Sequence, residues 1–110
     1  MIVISFSEIA SNQLEFSVKG HSSNRKGEDI VCAAVSVLTQ TFIRGIEKSL
    51  KAKFKGKFLA GDCELLIEVP KEKAEDLKLI CEIFKEGFHK ISESYPEQVK
   101  LNCQEIYHGS

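Results

Sequence analysis

Two stretches of helical periodicity divide this chain, and each stands between segments that alternate apolar and polar residues. From Asp29 to about Lys51, residues Val31, Val35, Leu38, Phe42, Ile46 and Leu50 recur every three or four positions. That spacing lines one face of a helix. Its first half, Ile30 to Leu38, is apolar nearly all round, which predicts a buried helix. From Lys71 to Ser94, Leu77, Ile80, Cys81, Phe84, Phe88 and Ile91 form a second stripe, with mixed lysine and glutamate opposite. Pro96 marks its stop.

The alternating segments read as strands. Met1 to Phe6 is rich in β-branched residues, and Leu14, Phe16 and Val18 alternate over Gln13 to Lys19. Ser11-Asn12 supplies turn chemistry between them. Lys55 to Leu59 and Cys63 to Val69 predict a second hairpin, turning at Ala60-Gly61-Asp62. Val99, Leu101 and Cys103 alternate as a last strand, and the tail from Tyr107 to Ser110 is expected to fray. The order is β-β-α-β-β-α-β. Two amphipathic helices bury both stripes by lying on one face of a five-stranded, mostly antiparallel sheet. The predicted class is α+β, a two-layer α/β sandwich, and 110 residues suit a single domain spanning 1–110.

Composition narrows the function classes. A 43% hydrophobic share argues against disorder. No uninterrupted apolar run approaches the length of a bilayer span, and no basic region precedes a short apolar one at the N-terminus. The expectation is a cytoplasmic chain with no membrane partner. A net charge of −1 exerts no global pull on nucleic acid. The four cysteines, Cys32, Cys63, Cys81 and Cys103, lack C-x-x-C spacing, so neither a metal site nor a redox motif is indicated. They are expected to be thiols, with Cys63, Cys81 and Cys103 pointing into the core. No cofactor is implied.

The chemistry-bearing stretch runs from Gly20 to Ser36. A polar loop, His21-Ser22-Ser23-Asn24-Arg25-Lys26, is bounded by Gly20 and Gly27 and followed by Glu28-Asp29-Ile30-Val31-Cys32. A thiol near a helix N-terminus feels the positive end of the macrodipole, which favours the thiolate. An imidazole brought near it would take the thiol proton, giving a nucleophile and its base. First-turn N–H groups, which lack intrahelical partners, would donate to an oxyanion. The plainer alternatives are a buried core cysteine and a solvated loop histidine. Asp29 has two uses, as helix N-cap or as the orienter of His21. Ser36, one turn beyond Cys32, either donates into the site or bonds back to the Cys32 carbonyl. The loop fails the P-loop pattern, because no lysine follows its second glycine with Ser or Thr behind it.

A basic run, Arg44, Lys48, Lys51, Lys53, Lys55 and Lys57, interleaves with Phe54 and Phe58. It suits an RNA contact or simply a solvated helix end. A non-catalytic ribosome- or RNA-associated module and a thiol redox sensor using Cys32 are therefore the alternatives to an enzyme.

The stretch Gly20-His21, then Gly27-Glu28-Asp29-Ile30-Val31-Cys32-Ala33-Ala34-Val35-Ser36, resembles the bacterial ribosomal-processing cysteine protease Prp family. Glu93-Ser94-Tyr95 and Val99-Lys100-Leu101-Asn102 are similar to the family's ending. The resemblance implies a cysteine endopeptidase with Cys32 as nucleophile and His21 as its partner. It implies supporting roles for Asp29 and Ser36. It also implies a substrate loop including Gly20, Ser22, Ser23, Asn24 and Gly27 that orders around the substrate. The implied substrate is large-subunit ribosomal protein twenty-seven, cut after an aromatic residue and before a small one to remove an N-terminal extension. The implied assembly is a homodimer, and no metal is involved. This chain carries Ala34 where some relatives have glycine, and Cys103 where an aromatic can stand.

Overall fold

The computed structural model describes residues 1–20 and 28–107. Within it the expected order of elements holds. Strands β1 (Ile2–Ala10) and β2 (Gln13–Lys19) form a hairpin, followed by helix α1 (Glu28–Leu50). Strands β3 (Lys53–Leu59) and β4 (Asp62–Glu68) form a second hairpin, followed by α2 (Ala74–Ser94) and β5 (Val99–Glu105). The second helix begins later than the periodicity predicts. Lys71–Lys73 after Pro70 form a separate 3₁₀ turn that leads into it.

The sheet order is β3-β4-β2-β1-β5. Its β1–β2, β2–β4 and β3–β4 pairings are antiparallel, whereas β5 lies parallel to β1. The sheet is thus mixed. Parallel pairing requires a long crossover, and the chain from β1 reaches β5 only after both helices and the second hairpin. Register explains the core. Ile4 faces Val18 and Leu101, Phe6 faces Phe16, and Phe16 faces Leu65, so apolar side chains share one surface. Both helices pack there. Phe6, Phe16 and Phe42 meet edge to face, with centroids 5.0–5.6 Å apart. Such geometry adds attraction beyond area burial.

One expectation is corrected. Cys103 is exposed, although its register opposite Phe6 gives it the parity of the helix-covered face. Burial decays along β5 from Val99 through Leu101 to Cys103. An edge strand has a neighbour on one side only. By length and mean hydropathy, 1.4, Ile30–Leu50 would also suffice to cross a bilayer. In the fold it instead buries Val31, Val35, Phe42, Ile43, Ile46 and Leu50 against the sheet.

The β3–β4 turn is Ala60-Gly61, with Leu59 opposite Asp62. Gly61 adopts φ 74°, which a side chain would resist. The basic run is split by the fold between the end of α1, its exit and β3. Lys57 lies 2.8 Å from Asp62, and the pair holds the lysine pKa up and the aspartate pKa down. Lys53 stands opposite Glu68 in register.

Candidate active site

Cys32 lies on the first third of α1 and is half-buried. The helix begins at Glu28, so Asp29 is a residue of its first turn rather than its N-cap, which corrects the capping alternative at the level of the backbone. Cys32 is then the fifth helical residue. Helical Cα–Cβ bonds tilt toward the N-terminus. The side chain therefore leans over the turn whose N–H groups have no intrahelical partner.

A cleft of about 400 Å³ opens at Cys32. Along α1 it is lined by Cys32, Val35, Ser36, Thr39 and Gln40. Its floor is Ile2, Val18 and Cys63 from the sheet, and its far wall is the turn Phe58–Gly61. Gly20 closes the end next to the sheet. That glycine adopts φ 113°, and its N–H donates to the Gly61 carbonyl at 3.1 Å. A Cβ at Gly20 would stand 2.0 Å from the Met1 carbonyl oxygen. The first bounding glycine of the loop is thus required by a close backbone approach.

Of the predicted site residues, Gly20, Cys32 and Ser36 come together in this cleft. His21, Ser22, Ser23, Asn24 and Gly27 lie outside the described residues, as does the tail beyond Tyr107. Ser36 is exposed. Its Oγ accepts from Gln40 Nε2 at 2.9 Å, on the exposed lip. His89 lies on α2, 3.5 Å from Glu93, and does not line the cleft.

Two thiols share the cleft, and burial separates them. Cys63 is 2 % exposed, and loss of solvation pushes its pKa up to about 11. It is protonated at neutral pH and cannot serve as nucleophile. A larger depression of about 490 Å³ lies on the uncovered sheet face. It gathers Ser5, Ser7, Ser17, Glu15 and Lys57, but no cysteine or histidine among the described residues, so we place the chemistry in the smaller cleft.

Sequence reasoning missed Thr39, Gln40 and the Phe58–Gly61 wall. Thr39 and Gln40 had a readable signal, being seven and eight residues beyond Cys32 on nearly the same helical face. The wall had none, because only the β2–β4 pairing brings that turn beside α1.

A family model described as cysteine protease Prp matches residues 1–100. SMU.848 from Streptococcus mutans has a similar structure, with a TM-score of 0.72 and 26% identity over 96% of this chain and 95% of that one. The ribosomal processing protease Prp from S. aureus, solved with a substrate peptide, gives a TM-score of 0.70 at 20% identity. That match covers 94% of this chain and 99% of the other. The same protease with a covalently linked product peptide gives 0.71 at 21% identity, with the same coverage. No curated protein sequence matches.

Proposed function

This chain belongs to the cysteine protease Prp family, and on that premise we propose that it is an endopeptidase trimming the N-terminal extension of large-subunit ribosomal protein twenty-seven in the cytoplasm. The observation that carries the proposal is the half-buried Cys32 at the start of α1, opening into a cleft that a peptide can enter. His21 follows Gly20, which lines that cleft.

In the proposed mechanism His21 accepts the Cys32 proton, and the sulfur attacks the scissile carbonyl carbon. First-turn amides donate to the oxygen as it gains charge. The tetrahedral intermediate collapses, the C–N bond breaks, and the imidazolium gives its proton to the leaving amine. Water, deprotonated by His21, then hydrolyses the thioester and restores the thiol. Asp29 orients His21, and Ser36 holds Gln40 at the lip. The residues of the Gly20–Gly27 loop cover the bound peptide. The deciding experiment incubates the chain with ribosomal protein twenty-seven carrying its extension and reads the mass of the product. A mass unchanged after prolonged incubation rejects the proposal.

Thiol selectivity gives an independent check. Limiting iodoacetamide near neutral pH should modify Cys32 first, with activity falling in step. Cys103 is exposed, but partial burial raises its pKa and lowers its thiolate fraction. It should react second, without loss of activity. Burial pushes Cys81 up to about 12, so Cys81 and Cys63 should react only on unfolding. Peptide mapping showing Cys103 modified first, with activity intact, would remove the chemical basis for Cys32.

We further propose a homodimer. Ile30 and Val37 on α1, and Leu79 and Ile83 on α2, are each at least 60% exposed. Exposed apolar side chains of this size mark contact surfaces when they cluster. Light scattering at micromolar concentration should give twice the 12.3 kDa of one chain. A mass of one chain would exclude it.

A further inference from the structure

Cys32, Ser36 and Gln40 stand at four-residue intervals on α1, and all three line the cleft. Residues so spaced form one row along a helix. Ser36 and Gln40 are exposed, so beyond Cys32 the row is the open lip of the cleft. Gln40 Nε2 donates to Ser36 Oγ at 2.9 Å. The carboxamide is thereby turned back along the row toward Cys32.

A carboxamide carries two N–H donors and an oxygen with two acceptor sites. Ser36 takes one donor. Because Gln40 is exposed, its other N–H and its oxygen are open to a partner entering the cleft. A donor and an acceptor side by side match the N–H and C=O that one residue of an extended peptide presents along its edge. The bond to Ser36 orders the carboxamide before a peptide arrives, which lowers the cost of capturing one. Across the cleft stand Phe58 and Leu59, both apolar and exposed. An extended peptide lying there sets its main chain against the polar row and an apolar side chain against that wall. Spacing fixes which residue is held. Four helical residues rise about 6 Å, and an extended chain advances about 3.3 Å per residue. A carboxamide bonded at Ser36 therefore stands about two or three peptide residues from the thiol.

We propose that Gln40 binds the substrate main chain, its carboxamide pairing with the N–H and C=O of the residue about two or three positions from the attacked carbonyl. The inference rests on the protease reading of the cleft and adds a subsite to it. Its test replaces single main-chain amides of a peptide by esters, which removes one N–H and leaves every side chain in place. The peptides carry the cleavage sequence of ribosomal protein twenty-seven, with the ester moved stepwise along both arms. Binding is measured by calorimetry on Cys32→Ala chains, with and without Gln40→Met, so that it does not depend on turnover. Methionine is close to glutamine in helix propensity, and Gln40 is exposed, so the variant should melt with its parent.

Gln40→Met should weaken binding of the all-amide peptide about three- to tenfold, the worth of one or two hydrogen bonds. One ester peptide, altered about two or three residues from the cut, should already bind more weakly to the parent, and Gln40→Met should weaken it no further. The other ester peptides should show the full loss. Unchanged binding of the all-amide peptide by Gln40→Met, an equal loss for every ester peptide, or no binding by the parent would each overturn the inference. If the expected pattern is found but the Cys32 chain cleaves none of the peptides, the protease reading fails and Gln40 stands as a peptide-binding residue. If the Cys32 chain cleaves and the pattern is missing, only the Gln40 assignment falls.

Discussion

Replacing Cys32 by alanine should reduce cleavage of the ribosomal protein about 10⁴-fold or more, the order seen when a nucleophile of a catalytic unit is removed. The chain should stay folded. Cys32 is only half-buried and packs at the margin of the core, and alanine is the best helix former. His21→Ala should fall by a comparable factor, because residues acting as one unit lose their effect together. The double variant should therefore be little worse than either single one. Cys32→Ser should also be nearly inactive, since a hydroxyl ionises far less readily than a thiol. Product mass measured over time decides each case. Turnover near the parent rate by Cys32→Ala would leave the cleft without a nucleophile and end the protease reading.

The largest stability effect is expected at Gly20. An alanine there would need its Cβ 2.0 Å from the Met1 carbonyl oxygen at φ 113°. Neither backbone can give way cheaply, because Ile2 begins β1 with its N–H on the Gln98 carbonyl at 2.8 Å. We expect Gly20→Ala to cost about 3 kcal/mol or more, lowering Tm by roughly 10 °C or more. Cleavage should fall as well, since Gly20 joins the cleft to the loop that carries His21. Gly45→Ala is the matched control. Gly45 lies on an exposed part of α1, where an added Cβ would meet nothing within 4 Å, and helix propensity alone predicts a gain of about 0.5–1 kcal/mol. Thermal unfolding of the two variants should therefore move in opposite directions. A Gly20→Ala chain that melts with its parent would show that the Met1 contact is not held in solution.

These outcomes also separate what is written locally from what is assembled at a distance. Hydrophobic periodicity is a property of neighbours in sequence. It placed Phe16 and Val18 on one face of a strand and Phe42 and Ile46 on one face of a helix, and the register bears this out. The loop-to-helix junction carrying Cys32 was legible for the same reason. Glycines, a polar stretch and an apolar helix start lie within one continuous segment. The resemblance of that segment to the Prp family pointed to the family that the match over residues 1–100 shows.

Other features belong to the tertiary structure alone. The parity of Cys103 was readable, but its exposure follows from β5 being an edge strand alongside β1. The start of α1 at Glu28 moved Asp29 inside the first turn, because helix ends depend on contacts as well as on capping residues. The cleft itself is non-local. Its floor comes from β1, β2 and β4, its wall from the β3–β4 turn and its rim from α1. That the buried Thr39 oxygen has no hydrogen-bond partner among the described residues could not be read from a threonine in a helical stripe. Periodicity decides which way a side chain faces, but only packing between distant segments decides what it meets there.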